Sequence, residues 1–143
     1  MERWHDGSIR AMLAGRRPDY LGVTEGKLAR PKRTPNCVSS QADPADAEHY
    51  IAPIPFRGTP VEAMVAAKRA VEAMERARIV REAPGYLYAE FRSKLLGFVD
   101  DLELLFDEQQ RVFHVRSASR LGRRDFGVNR ERVEALRKRI TAG

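Results

Sequence analysis

Residues 86–119 read YLYAEFRSKLLGFVDDLELLFDEQQRVFHVRSAS, and this stretch decides the fold. Apolar and polar side chains alternate with a period of two, which predicts strands over Tyr86–Ser93, Phe98–Asp107 and Arg111–Ser119. The connection at Asp107–Gln110 has the length and polarity of a hairpin loop. Because short connections of this kind join strands that run in opposite directions, the stretch predicts an antiparallel meander.

Two predicted helices flank the meander. Residues 59–62 read TPVE, a capping box with proline at the first helical position, and the apolar stripe that follows predicts a helix ending near Glu75. A second helix is predicted over Asn129–Ile140, and a further short strand over Arg78–Ala83. The order αββββα over residues 59–141 predicts an α+β two-layer sandwich, in which two helices cover one face of an antiparallel sheet of four to five strands.

Residues 1–58 form a long N-terminal arm that prolines and glycines interrupt repeatedly. Residues 50–56 predict one short edge strand, since proline is tolerated at the edge of a sheet. A chain of 143 residues suits one compact domain, so we expect residues 1–143 to form a single domain, with the arm wrapped over the sandwich and contributing side chains to a site. The charged second face of the sheet is then either open to solvent or covered by the arm.

The net charge of +6 is unevenly distributed: +4 over residues 1–40, −5 over residues 41–110 and +7 over residues 111–143. The acidic middle can attract the basic ends within the fold, an alternative to an anionic partner such as nucleic acid or a membrane surface. No nucleic-acid-binding module is recognisable, so we do not expect a nucleic-acid partner.

The single cysteine excludes an internal disulfide, and no apolar run is long enough to predict a transmembrane segment. The N-terminus also lacks the apolar core of a signal peptide. These features predict a cytoplasmic protein with a reduced thiol. No CxxC, HxxxH, GxxxxGK[ST] or GxGxxG pattern occurs, so we expect neither a metal nor a cofactor.

One carboxylate falls on the apolar face of the predicted sheet. Asp100 is in register with the apolar residues of its strand, where a charge needs a partner. Ser117 and Ser119 point to the same side of the next strand, which predicts a polar cluster of these three residues, reached by Arg92 or Arg130. The alternative is a strand end near the rim of the sheet, where the alternation lapses.

The sequence RSASR at residues 116–120 also resembles an anion-binding site, since two guanidinium groups and two hydroxyls suit a carboxylate or a phosphate. Arg116 and Arg120 lie opposite the two serines in a regular strand, so they would cooperate with them only across a bulge or a twisted end. The alternative is that Arg116 pairs across the sheet with Glu103 or Asp101.

Cys37 is the only thiol, and Asn36 and Ser39 stand beside it. A nucleophile is conceivable there if the fold brings a base to it. The alternative is that Cys37 is a small buried hydrophobe, which is the usual role of a lone cysteine.

Three strings carry a resemblance to a known family: GVTEGKLARPKRTPNCVSSQA at residues 22–42, FRSKLLGFVDDLELLFD at 91–107 and VFHVRSASRLGRRDFGVNRERVEALR at 112–137. They resemble the family catalogued as domain of unknown function 1499, which occurs in bacteria and plants. The resemblance implies no activity or substrate. A second cysteine often precedes the PNC string in the family, and this chain has Pro31 there, so a two-cysteine site is not a general requirement. The residues that match the family's polar signature are Asn36, Cys37, Ser39, Ser40, Arg92, Ser93, Asp100, Asp101, Arg116, Ser117, Ser119, Arg120, Asp125, Asn129 and Arg130.

The sequence favours a small binding or accessory module over an enzyme, with a polar site for a small anionic ligand or a protein partner. Two alternatives stay open: an enzyme with Cys37 as the nucleophile, and a purely structural network that anchors the arm. The candidate ligand-binding residues are Asn36, Cys37, Ser39, Arg92, Asp100, Arg116, Ser117, Ser119, Arg120, Asn129 and Arg130.

Overall fold

The computed structural model describes residues 13–94 and 96–142. The first twelve residues of the predicted arm therefore lie outside the described chain. The regular elements are β1 (Cys37–Ser39), β2 (Ile54–Pro55), α1 (Pro60–Glu72), β3 (Ala77–Ala83), β4 (Tyr86–Arg92), β5 (Val99–Asp107), β6 (Val112–Ser119) and α2 (Val128–Ala142).

The six strands form one antiparallel sheet in the order β1–β6–β5–β4–β3, and β2 pairs with β6 next to β1. The predicted α+β sandwich and its meander are confirmed. The sheet has six strands rather than four to five, because Cys37–Ser39 of the arm adds a strand opposite Arg116–Ala118.

Both helices lie on one face of the sheet and share a hydrophobic core with it. α1 begins at the predicted capping box: Thr59 Oγ1 accepts a hydrogen bond from Glu62 N at 3.1 Å, and Thr59 N donates to Glu62 Oε1 at 2.9 Å. Among the described residues, no helix combines the length and the apolar character needed to cross a membrane. The core includes Ala63, Ala67, Val71, Leu87, Ala89, Leu102, Leu104, Phe113, Val115, Val133, Leu136 and Ile140.

Residues 14–30 of the arm cover the second, charged face of the sheet. Leu28 packs against Tyr86 there, and the backbone N–H of Gly22 donates to Glu103 Oε2 at 2.8 Å. Of the two alternatives for this face, the structure shows the covered one.

The start of β5 differs from the prediction. Phe98 is the first residue of the predicted strand, but it precedes β5 and is exposed. Ser93 N donates to Phe98 O, and Phe98 N donates to Ser93 Oγ, so a turn holds Phe98 outside the sheet. Val99 begins the strand instead, and it is buried against Ala14 on the arm-covered face.

Other boundaries shift by a few residues. α1 ends at Glu72, shortly before the predicted end near Glu75 or Arg76, with Ala73 as its C-cap, and Arg76 adopts a left-handed φ of 56° just before β3. The edge strand expected within residues 50–56 is limited to Ile54–Pro55. α2 extends beyond both of its predicted ends.

His49 fastens the second half of the arm. Its Nδ1 lies 2.7 Å from Asp46 Oδ2, and its Nε2 lies 2.9 Å from Thr34 O. Both partners are acceptors, so the doubly protonated imidazolium satisfies both contacts at once. Burial lowers the pKa of His49, but the hydrogen bonds to Thr34 and Asp46 outweigh this effect and hold the pKa above its ordinary value.

The raised pKa predicts a pH-dependent contribution of His49 to stability. The contribution is fully present below the unfolded-state pKa of about 6.5, and it is lost as pH rises through the higher folded-state pKa. At low pH, His49→Gln should reduce the free energy of unfolding by about 2 kcal/mol, because hydrogen bonds to a charged group are lost. Urea unfolding of both proteins across pH 5.5 to 9, about the range of an ordinary histidine titration, measures this difference.

Thr59→Ala is the control, since it removes a helix cap without a group that titrates in this range. Its cost should stay constant with pH. A cost of His49→Gln that is equally constant would contradict the imidazolium arrangement.

Candidate functional site

Five polar side chains meet at the end of the sheet where β5 begins and β6 ends, against the first turn of α2. Arg132 Nη2 donates to Asp100 Oδ2, and Arg132 Nη1 donates to Asn129 Oδ1, each at 2.8 Å. Ser117 Oγ donates to Asn129 Oδ1 at 2.6 Å, and Asn129 Nδ2 donates to Ser119 Oγ at 2.9 Å. The structure thus brings Asp100, Ser117, Ser119 and Asn129 together; with Arg132 they form the helix-side cluster.

Asn36 ties the arm to the helix-side cluster. Its backbone O accepts from Asn129 Nδ2 at 3.3 Å, while its own Nδ2 donates to Leu121 O at 3.3 Å and to Gly122 O at 2.8 Å. Asp125 Oδ2 accepts from both Asn129 N and Asn129 Nδ2, at 3.1 and 2.7 Å. These buried groups already have partners, and their bonds hold the arm, β6 and α2 together.

Arg132 takes the position that the sequence analysis gave to Arg92 or Arg130. Arg130 Nη2 instead donates to the backbone oxygens of Ala47 and Glu48, both at 3.3 Å, and so holds another part of the arm. Arg130 and Arg132 therefore bind different parts of the chain.

Arg132 was not predicted, although the sequence contains a signal for it. Arg132, Leu136 and Ile140 are spaced by four residues, so the apolar stripe of α2 passes through Arg132. The guanidinium also lies over the ring of Phe91, with its Cζ 4.6 Å from the ring centroid.

Arg120 lies on the opposite, arm-covered face of the sheet. Its Nε and Nη2 donate to the two oxygens of Asp101 at 3.0 and 2.9 Å, and its Nη2 also contacts Glu90. Tyr88 OH lies within hydrogen-bond distance of both carboxylates and donates to one of them, and Arg17 of the arm donates to Glu90 Oε2 and Oε1 at 2.9 and 3.0 Å. These five residues form the arm-side cluster, which is largely shielded from water except at Arg17.

Arg116 is buried on the same face, directly across from Glu103. Its Cζ lies 4.8 Å from the centroid of the Tyr20 ring, and its Nη2 donates to Arg30 O at 3.2 Å. Arg116 Nε, Arg116 Nη1 and Glu103 Oε1 have no hydrogen-bond partner among the described residues. Arg116 therefore faces Glu103 in the register of the cross-strand alternative, but no hydrogen bond joins the two side chains.

Arg116 and Arg120 do not converge on Ser117 and Ser119. β6 pairs regularly with β5 from Val112 to Ser119, so no bulge brings the arginines to the serine side. The expected pocket that combines both arginines with both serines is wrong, because the sheet separates them.

The pKa values of the two buried glutamates on the arm-covered face are shifted in opposite directions. Burial raises the pKa of Glu90, but its hydrogen bond with Arg17 and the charge of Arg120 outweigh burial and lower it. Glu103 accepts from Tyr86 OH at 2.6 Å and from a backbone N–H, and there burial prevails and raises the pKa. The carboxylate at Glu90 is thus held ionised by its two arginines.

Cys37 is 0% exposed and lies opposite Ala118 in the sheet. Burial raises the pKa of its thiol, and the nearby charge of Arg116 opposes the shift only in part. Ser39 is also buried, and its Oγ accepts from Gln41 N at 3.1 Å. The environment of Cys37 is that of a small buried hydrophobe, not of an activated thiolate.

The ligand atoms of Asp46, Glu48 and His49 lie within 4.8 Å of one another. Both ring nitrogens of His49 are engaged, one with Asp46 and the other with Thr34 O. A metal would need one of these nitrogens as an unprotonated ligand, so the arrangement suits the hydrogen-bonded imidazolium better.

A solvent-accessible cleft of about 480 Å³ opens beside the helix-side cluster. Two of the predicted ligand-binding residues, Arg92 and Asp100, line it, and the exposed Lys94 stands at its margin. The lining residues that carry polar or charged groups are Glu75, Arg76, Arg92, Ser93, Lys94, Asp100, Glu131 and Arg132.

Fold and site together define a two-layer α+β sandwich whose N-terminal arm is fastened by buried polar clusters on both faces of the sheet. The chain belongs to the family described as "Protein of unknown function (DUF1499)", whose model matches residues 27–140. The resemblance found in the sequence is thereby confirmed. No curated protein and no solved structure matches the chain.

The arm-side cluster predicts a large cost for removing its central cation. Arg120→Ala leaves Glu90 and Asp101 buried beside each other without it, and should lower the free energy of unfolding by about 3–5 kcal/mol. Lys68→Ala, which breaks a half-exposed ion pair with Glu82, is the matched control and should cost less than about 1 kcal/mol. Equal costs in urea unfolding would refute the buried cluster.

The burial of Cys37 predicts an unreactive thiol. Iodoacetamide should modify the folded protein much more slowly than the urea-unfolded protein, across the pH range in which a free thiol reacts. Cys37→Ala should leave the fold intact at a modest cost in stability, because it removes one small buried group. Rapid alkylation of the folded protein at neutral pH would return Cys37 to the candidates for a nucleophile.

Proposed function

We propose that this protein is a binding module whose site is the cleft beside the helix-side cluster, where it recognises the anionic group of a small ligand. The observation that carries the proposal is the cationic lining of that cleft. Four cationic side chains line the cleft, compared with three carboxylates. The cations are Arg76, Arg92, Lys94 and Arg132.

Two of the three carboxylates already have a cation beside them. Asp100 accepts from Arg132 at 2.8 Å, and Glu75 accepts from Arg76 at 3.0 Å. Lys94 is exposed at the margin of the cleft and brings a further positive charge. Ammonium and guanidinium groups together bind carboxylates and phosphates through charge-assisted hydrogen bonds.

The same proposal gives the remaining predicted residues a structural role. Each of their side chains makes at least one hydrogen bond within the protein, and many of these bonds hold the arm, which supports the alternative of an anchoring network. These residues are Asn36, Ser39, Arg116, Ser117, Ser119, Arg120, Asn129 and Arg130.

The enzyme alternative has weaker support. It depends on Cys37, whose thiol is buried in the sheet and has a raised pKa. A substrate would have to separate β1 from β6 or displace the arm before it reached the sulfur.

Thermal unfolding in the presence of pyrophosphate or citrate tests the proposal. Either anion should raise the melting temperature more than sodium chloride at equal ionic strength, since a ligand that binds only the folded state stabilises it. Lys94→Ala should weaken the derived affinity about tenfold, because one charge-assisted contact is lost.

Lys27→Ala is the matched control, since Lys27 is exposed in the arm and lines a different depression near Asp107. It should leave the affinity unchanged. A melting temperature that responds to anions only as it does to sodium chloride, or equally in wild type and Lys94→Ala, would overturn the proposal.

A further inference from the structure

Two loops lie at the end of the sheet that carries the cleft, and the first of them lines it through Ser93, Lys94 and Phe98. The first, residues 93–98, joins β4 to β5 and is described except at residue 95; the second, residues 120–127, joins β6 to α2. Pairing of Asp100 with Ser119 places the two loops side by side. We call them the first and the second end loop.

Exposed apolar side chains are concentrated at these loops. Of the nine large hydrophobic residues exposed in the described chain, five lie in the end loops or at the adjoining start of α2. Scattered apolar residues are ordinary on a protein surface, but a group of them at one end marks an interaction surface. The five are Leu96, Phe98, Leu121, Phe126 and Val128.

Phe126 is the most exposed of these, at 91%. Its φ is 54°, a left-handed conformation that an aromatic residue rarely adopts. Asp125 fixes the turn, since its Oδ1 accepts from Gly127 N at 2.9 Å and its Oδ2 accepts from Asn129 N at 3.1 Å. The ring is therefore held in solvent by a hydrogen-bonded turn.

The end loops are also cationic. Lys94, Arg123 and Arg124 are exposed beside the apolar side chains. Asp125 is the acidic residue among the described positions of the end loops, and its carboxylate oxygens accept hydrogen bonds from Gly127 and Asn129. An apolar surface with cations at its margin complements an anionic lipid surface, where the rings enter the interface and the cations meet phosphates.

We infer that the end loops dock on the surface of a bilayer that contains anionic lipids, with Phe126 inserted and a lipid headgroup phosphate in the cleft. This inference rests on the proposed function, because the cleft supplies the headgroup site. The exposed apolar side chains are distributed over both loops and the start of α2, a spread that suits a fluid lipid surface better than one extended peptide.

Vesicle co-sedimentation of the full chain tests the inference. Binding should be strong to vesicles of two parts phosphatidylcholine and one part phosphatidylglycerol, weak to phosphatidylcholine alone, and reduced by salt. Phe126→Ser should lower the affinity for the anionic vesicles about tenfold or more, because the ring no longer leaves water.

Matched variants stand at the far end of the sandwich. Val61→Ser changes another exposed apolar side chain, and should not alter vesicle binding. Arg123→Glu with Arg124→Glu should abolish binding to anionic vesicles, whereas Lys138→Glu with Arg139→Glu, the same change of net charge near the end of α2, should leave most of it. Equal losses in both charge variants would overturn the inference and indicate attraction by net charge alone.

Insertion has a separate readout. Phe126→Trp in a Trp4→Phe background leaves one tryptophan, whose emission should shift to the blue on anionic vesicles and be quenched by brominated lipid. A tryptophan that stays in water would overturn insertion, as would vesicle binding that Phe126→Ser does not weaken.

The two proposals fail in different ways. If pyrophosphate stabilises the protein through Lys94 but vesicles do not bind, the cleft binds a soluble anion and the docking inference is wrong. If neither vesicles nor soluble anions bind, both proposals fall. Binding to anionic vesicles that both Phe126→Ser and Lys94→Ala weaken would support the docking inference.

Discussion

The arrangement of the fold depends on the guanidinium of Arg120, which lies between the carboxylates of Glu90 and Asp101. Two carboxylates on neighbouring strands cannot both be buried as anions without a cation between them. Arg17 of the arm completes the charge balance at Glu90, so the chain that covers this face is itself part of the ion cluster. The arm and the sheet therefore stabilise each other, and the charged second face becomes an interior.

The sequence was sufficient for the four-stranded meander and for three members of the helix-side cluster. A period of two assigns side chains to faces, and that alone placed Asp100, Ser117 and Ser119 together. The capping box at Thr59 fixed the start of α1 for an equally local reason. β1 was not predicted, because a strand of three residues has too few positions to show a period, and its pairing with β6 is a long-range contact.

The period of two also assigned Arg116 and Arg120 to the correct face of the sheet, but it did not predict that they are buried there. The alternation of polar and apolar residues indicates which face of a sheet a residue occupies, whereas its burial depends on which other segments pack against that face. Here a segment 86 to 105 residues earlier in the chain covers the arginines: Arg30 O accepts from Arg116, and Gly15 O accepts from Arg120. A pattern that resembles an exposed anion site in sequence is thus an internal anchor, and Arg132, on the apolar stripe of α2, supplies the cation for Asp100.

The difference between arginines that are bonded inside the protein and cations that are exposed at the cleft determines where a ligand can bind. A guanidinium that already has two carboxylates, as Arg120 has, would lose those bonds before it could bind an anion, and the carboxylates left behind would remain buried and uncompensated. Lys94 carries no such cost, because it is exposed at the margin of the cleft. The turn at Asp125 connects the residues that fasten the arm with the end loops. The Asp125 carboxylate accepts from Asn129 in the buried cluster, and it also closes the turn that exposes Phe126 to solvent. The network that anchors the arm therefore also positions the exposed ring.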